Sequence, residues 1–156
     1  MNILDEINNN LIYVSQNIEK YPIHIILLLP KFLSYDVMAK MSEYIPQHFI
    51  LKYADQIPIE IISNIVPLMK NELVADLSQQ FDEEYTLKFI NYLDYSYIKK
   101  INNLVPQTFI INILNKADES FIKKIIKTMS YEEEIMCYSY LSINNKEKYK
   151  MYFKFF

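Results

Sequence analysis

Apolar positions recur every twelve residues along most of this chain. Cut from residue 10 onward, the sequence divides into eleven consecutive twelve-residue units without insertion or deletion, and the last unit ends at residue 141. Positions 4, 8 and 12 are apolar in nearly every unit, and position 5 is apolar in most. This spacing places the apolar side chains on one stripe of a helix. Each unit is therefore predicted to form one short helix of about 8 to 10 residues.

The first position of each unit predicts where its helix begins. Apart from one lysine, this position holds Asn, Ser or Asp, which cap exposed helix N–H groups, or Pro, which fits the first turn. Position 3 is often acidic, which favours the positive end of the helix dipole. The residues at position 1 are Asn10, Pro22, Ser34, Pro46, Pro58, Lys70, Asp82, Asp94, Pro106, Asp118 and Ser130.

Helices this short are not stable alone and must pack on their neighbours. Two units would make a helical hairpin, so the structural repeat is predicted to be 24 residues long. The predicted fold is all-α: a right-handed superhelical solenoid of eleven or twelve short antiparallel helices. We expect one domain over residues 1–156, with an N-terminal cap (1–21), the repeats (22–141) and a C-terminal cap helix (142–156).

Composition excludes several functional classes. The 156 residues include no Gly, which excludes glycine-rich phosphate and dinucleotide loops. All 16 basic residues are Lys, so the bidentate Arg fork is missing. Two His and one Cys are too few for a structural zinc site or a disulfide framework. With no nucleophile–base pair in view, we expect a protein that is not an enzyme and that holds no cofactor.

The expected location is the cytosol. The single Cys suits a reducing compartment, the first residues do not resemble a signal peptide, and no apolar stretch approaches the length of a membrane span. Charge is uneven: residues 1–98 carry thirteen acids and six Lys, whereas residues 99–156 carry six acids and ten Lys. The abundance of Ile, Asn, Lys and Tyr is typical of an AT-rich genome.

The helix-opening motif resembles that of a known family. It is similar to the N-terminal cytosolic superhelical domain of MgtE-type magnesium transporters, and a similar unit occurs in the middle region of the flagellar motor switch protein. The resemblance spans residues 22–141 and implies the fold. Ser96, Thr108 and Ser120 stand where the family pattern is often acidic. The motifs that carry it are IPQH (45–48), IPIE (57–60), MKNE (69–72), FDEE (81–84), VPQT (105–108) and ADES (117–120).

The resemblance also implies an alternative function, a regulatory domain that responds to Mg²⁺ or another divalent cation. Its candidate ligands are Glu72, Asp76, Glu83 and Glu84.

Lysines recur at positions 6 and 7, which point away from the apolar stripe. They are Lys52, Lys99, Lys100, Lys123 and Lys124, with Lys127 beside them. Such a row of lysines fits an acidic protein partner. Weak, non-specific nucleic-acid binding is a second alternative, although the absence of Arg argues against base recognition.

A second candidate surface is apolar. Leu27, Leu28 and Phe32 occupy positions that are mostly polar in the other units. Either the N-terminal segment 1–20 folds back and covers them, or they form an interface with a partner or with a second copy in a homodimer.

The other chemically capable residues have structural interpretations. His24 and His48 are expected to be partly exposed polar residues, and Cys137 a buried, inert thiol. Glu132 to Glu134 fit a capped helix start. Glu133 and Glu134 nevertheless fall on positions that are apolar elsewhere, so the last unit either slips its phase or forms a polar cap.

Together these features predict a non-enzymatic cytosolic protein-binding module. A small acidic chain of this kind suits an inhibitor, such as an immunity protein, antitoxin or anti-defence factor, or an adaptor. The residues do not choose among these.

Overall fold

The computed structural model describes residues 2–154, and all regular structure in this range is helical. Six short 3-10 helices accompany the α-helices: Ile18–Lys20, Leu29–Lys31, Ala54–Gln56, Val66–Leu68, Ile90–Tyr92 and Lys150–Tyr152. The thirteen α-helices of this range are α1 (Ile3–Asn9), α2 (Leu11–Gln16), α3 (Ile23–Ile26), α4 (Tyr35–Ser42), α5 (Gln47–Tyr53), α6 (Ile59–Ile65), α7 (Asn71–Gln80), α8 (Glu83–Phe89), α9 (Tyr95–Asn102), α10 (Gln107–Lys116), α11 (Glu119–Thr128), α12 (Tyr131–Tyr140) and α13 (Ile143–Tyr149).

The predicted helix starts are confirmed. Helices α2 to α13 each begin one residue after position 1 of a unit, and the spacing continues to a twelfth start at Ser142. Only α1 stands outside this spacing, capped by Asn2. The Asn, Ser and Asp caps work as expected: Asp118, for example, accepts a hydrogen bond from the backbone N–H of Phe121 at 2.9 Å. Lys70 has no capping bond and instead pairs with Glu43 at 3.7 Å.

Two extended residues join successive helices. At one junction, Leu93 has φ −106° and ψ 146°, and Asp94 has φ −71° and ψ 142°. Ala117 and Asp118 repeat this geometry. The first residue of the pair buries its side chain and the second starts the next helix. Because both have negative φ, the junction needs no Gly, and no residue of the described range has positive φ.

The chain divides into two compact units, Met1–Phe81 and Asp82–Phe156, and the twelve-residue spacing continues through residue 82. Within the first unit α2 packs on α4, α4 on α6, and α5 on α7. Within the second, α8 packs on α10 and α10 on α12. Helices 24 residues apart are therefore neighbours, as the predicted repeat requires. The handedness of the superhelix stays a prediction.

A recurring hydrogen bond fixes the register between such neighbours. It joins position 2 of one helix to position 11 of the helix one repeat later, a separation of 33 residues. The four instances are Gln47 with Gln80 (3.1 Å), Glu83 with Lys116 (2.8 Å), Gln107 with Tyr140 (3.0 Å) and Glu119 with Tyr152 (2.5 Å).

Each unit has its own apolar core. The first contains Ile7, Val14, Ile18, Ile26, Leu29, Met41 and Phe49. The second contains Leu114, Ala117, Phe121, Ile122, Ile125, Ile126, Met129, Cys137, Leu141, Tyr149 and Phe153. Most of these residues stand at positions 4, 5, 8, 9 or 12. None of the helices between residues 2 and 154 has the length and apolar character of a membrane-spanning segment.

A polar node secures the last junction of the second unit. The side chain of Asn115 donates to the carbonyl of Tyr140 at 2.8 Å and accepts from the backbone N–H of Ser142 at 2.7 Å. Asn145 donates to the same amide oxygen at 3.0 Å. These bonds attach the start of α13 to the end of α10.

Truncating the core of the second unit should lower its stability strongly. Ile122 is completely buried, so Ile122→Ala should cost about 2–5 kcal/mol of unfolding free energy, through lost burial and the cavity left behind. Lys127→Ala, an exposed change on the same helix, should cost less than about 0.5 kcal/mol. Urea unfolding followed by circular dichroism measures both values. Equal stability of the two variants would contradict the packing.

Candidate protein-binding surface

Five exposed lysines lie on two helices of the second unit. We define the lysine face as Lys99 and Lys100 of α9 with Lys123, Lys124 and Lys127 of α11. Helix α9 contains no acidic residue, and α11 contains only Glu119. Lys52, which was predicted to belong to the same row, lies in the first unit on α5, where its ammonium stands over the ring of Tyr53 at 5.3 Å.

A side-chain bond brings the two helices of the lysine face together. The ammonium of Lys124 donates to the backbone carbonyl of Leu93 at 3.1 Å, and Leu93 is the junction residue that precedes α9. The lysines at positions 6 and 7 of neighbouring repeats therefore share one side of the unit, as their spacing predicts.

Two tyrosine rings lie beneath lysines of this face. The ammonium of Lys99 is 5.4 Å from the ring centre of Tyr95, and that of Lys123 is 5.2 Å from the ring centre of Tyr152. Cation–π attraction stabilises both arrangements. Tyr152 also donates to Glu119 at 2.5 Å, which holds the 3-10 helix Lys150–Tyr152 against α11. The ring faces are thus already occupied by ammonium groups.

Glu133 connects this face to α12. Its carboxylate accepts bonds from the backbone N–H of Ser130 at 3.2 Å and from the hydroxyl of Tyr95 at 3.0 Å, and it lies 3.4 Å from the ammonium of Lys99. Partial burial alone would raise the pKa of Glu133, but these bonds and the lysine charge lower it below its ordinary value. Burial, with the bond to Glu133 second, raises the pKa of Tyr95.

Not all of the lysine charge is neutralised. Lys99 is paired with Glu133, and Lys124 is engaged by a carbonyl. Lys100 and Lys127 are exposed and form no ion pair with any residue between 2 and 154. These two ammonium groups are the ones most accessible to an anionic partner.

The N-terminal segment does not cover the predicted apolar surface. Helices α1 and α2 pack against Ile26 and Leu29, which are buried. Leu27 is half-buried, whereas Leu28 is 42% and Phe32 is 65% exposed. The alternative that residues 1–20 fold over all three is therefore wrong for Leu28 and Phe32. Their role in an interface stays a prediction.

The two histidines and the cysteine have the structural settings expected of them. His24 and His48 are exposed, and the Nε2 atom of His48 is hydrogen-bonded to Glu19. Cys137 is 5% exposed. Burial, together with the nearby charge of Glu134, raises the pKa of its thiol to about 12, so the reactive thiolate is suppressed.

The acidic start of α12 departs from expectation. Ser130 caps the helix in phase and forms a capping box with Glu133, so the unit does not slip. Glu134 is only 2% exposed and accepts the backbone N–H of Lys154 at 2.9 Å. A carboxylate therefore replaces an apolar core residue because the chain after α13 supplies a donor to it.

The candidate magnesium ligands do not form a cluster. Glu72 and Asp76 are exposed on α7, and Glu84 is exposed on α8. Glu83 accepts bonds from Lys116 at 2.8 Å and Asn112 at 2.7 Å, and these lower its pKa. In the part of the chain that the structure describes, no three His, Cys, Asp or Glu side chains are grouped to hold a metal ion.

Comparison with protein-family models, with curated proteins and with solved structures finds no match.

The sequence interpretation missed the residues that organise the lysine face. Tyr95 and Glu133 are separated by 38 residues, and nothing in the local sequence pairs them. Tyr152 had a detectable signal: it stands at position 11, 33 residues after Glu119, in a unit that continues the repeat beyond residue 141.

Stability should depend on pH through Glu133. Because its pKa is lower in the folded state, its ionised form should contribute stability above its ordinary pKa of 4.5, and this contribution should disappear as pH falls through the folded value. Glu133→Gln should therefore be less stable than wild type near pH 7, and the difference should vanish near pH 3.

Urea unfolding from about pH 7 to about pH 3 measures this difference. Glu132→Gln, an exposed change in the same helical turn, serves as the control and should show a much smaller dependence. A constant gap between wild type and Glu133→Gln at every pH would contradict the assigned bonds.

Proposed function

We propose that this chain is a non-enzymatic protein-binding module of the cytosol, which binds an acidic protein through the lysine face. The observation that carries the proposal is the concentration of five exposed lysines on α9 and α11, beside a single acidic residue in those helices. A surface with this charge attracts an acidic partner and accelerates the encounter with it. Inhibitors and adaptors both act in this way.

The arrangement of the tyrosines favours a protein over a nucleic acid. Proteins that bind single-stranded nucleic acid stack its bases on open aromatic rings. Here Lys99 and Lys123 already stand over Tyr95 and Tyr152. The chain also lacks Arg, the residue most used to recognise guanine. Charge attraction remains, and it suits an acidic polypeptide equally well.

A helical repeat scaffold supports this role. Inward positions of each unit are committed to the core, so the outward positions 6 and 7 can carry any chemistry without disturbing the fold. Repeat proteins commonly use such extended surfaces for binding. The free, buried Cys137 is compatible with the reducing cytosol.

Charge reversal on the lysine face should abolish binding of an acidic polypeptide. The probe is fluorescently labelled poly-L-glutamate, titrated with protein and followed by fluorescence anisotropy at low salt. Lys100→Glu with Lys127→Glu should weaken binding by about tenfold or more, and added salt should weaken wild-type binding. Neither lysine has an ion pair to lose in the described range, so folding should be unaffected.

The matched control is Lys31→Glu with Lys40→Glu, which changes the net charge equally but lies in the first unit. It should alter the affinity by less than about twofold. The proposal fails if the control weakens binding as much as the lysine-face variant, or if wild type does not bind. Tighter binding of a single-stranded oligonucleotide of equal charge, lost in the same variant, would replace it with the nucleic-acid function.

A further inference from the structure

Exposed apolar side chains are concentrated at the two ends of the repeat array. Thirteen large hydrophobic residues are exposed in the described range, and nine of them lie in α2 to the 3-10 helix Leu29–Lys31, with the adjoining Phe32, or in α12 to the 3-10 helix Lys150–Tyr152. The first group is Ile12, Tyr13, Leu28 and Phe32; the second is Tyr131, Ile135, Met136, Ile143 and Met151. Patches of this kind mark interaction sites.

The 33-residue register explains why these ends are exposed. Inside the array, position 2 of one helix meets position 11 of the helix one repeat later. Ile143 stands at position 2 of the last unit, and its partner would lie beyond residue 156. Phe32 stands at position 11 of the second unit, and its partner would lie before residue 1. Ile143 is 81% exposed and Phe32 is 65% exposed.

The two ends are complementary to each other. One presents an apolar side chain at position 2 and the other presents an apolar side chain at position 11, which are the two halves of a single register contact. A second copy of this chain supplies whichever half the first copy lacks. Helix α1 packs on α2 through Ile7 but leaves Phe32 exposed, so this half of the contact stays accessible.

We propose that copies of this chain associate head to tail, with the last hairpin (α12 and α13) of one copy stacked on the first hairpin (α2 and α3) of the next. Ile143 of one copy then packs against Phe32 of its neighbour and continues the register found within the chain. The proposal is independent of the lysine face, because it uses different residues.

Net charge favours this orientation over the symmetric ones. Residues 1–81 carry nine acids and five lysines, whereas residues 82–156 carry ten acids and eleven lysines. A head-to-tail contact therefore brings a negative unit to a slightly positive one. Head-to-head association would place two strongly negative units together, which electrostatic repulsion opposes.

Complementary single variants test the proposal. In sedimentation velocity at rising concentration, wild type should form dimers and then longer species, because a head-to-tail contact leaves one end of each kind open. Phe32→Asp and Ile143→Asp should each lose this association. An equimolar mixture of the two variants should form a dimer and nothing larger, because together they retain one intact head and one intact tail.

The control is Leu68→Asp, which alters an exposed residue at position 11 away from both ends and should associate like wild type. Circular dichroism checks that all variants are folded. A wild type that stays monomeric up to about millimolar concentration would overturn the proposal. So would loss of association in Ile143→Asp but not Phe32→Asp, which indicates a symmetric dimer, or a mixture that forms no dimer.

This result is separable from the function proposed above. Lys100→Glu with Lys127→Glu should leave self-association unchanged while it removes binding of poly-L-glutamate. Loss of both properties in that variant would contradict the assignment of self-association to Phe32 and Ile143.

Discussion

No helix in this chain is long enough to keep its conformation alone, so each depends on burying its apolar stripe against the helices one repeat away. The longest α-helices span ten residues and several are shorter, below the length at which isolated helices are stable in water. The two-residue extended junction makes this burial possible, because its first residue enters the core while its second begins the next helix. The twelve-residue period follows from that junction.

The same constraint separates structure from function along the sequence. Positions 4, 5, 8 and 12 are committed to the core, whereas positions 6 and 7 face outward and vary in chemistry. Lys100 and Lys127 can therefore serve binding at little cost in stability, while Glu133 serves both, as a helix cap and as the partner of Lys99. At the ends of the array, position 2 and position 11 lose their register partners, and the apolar side chains there become available.

The helix starts were predictable because they depend on local chemistry, such as the Asp118 side chain that caps the N–H of Phe121. The stacking of helices 24 residues apart followed from the same period. Contacts between Tyr95 and Glu133 could not be predicted, because they depend on the packing of three helices. The exposure of Phe32 was equally inaccessible, since it depends on where α1 lies. A buried Glu134 contradicts local patterning and is explained only by the backbone donor of Lys154.

Backbone chemical shifts from solution NMR test the central claim most directly. They report helical or extended backbone at every residue without reference to packing. The account predicts helical shifts interrupted by two consecutive extended residues at each junction, as at Leu93–Asp94 and Ala117–Asp118, repeated every twelve residues. Continuous helical shifts through these junctions, or interruptions at another spacing, would contradict it.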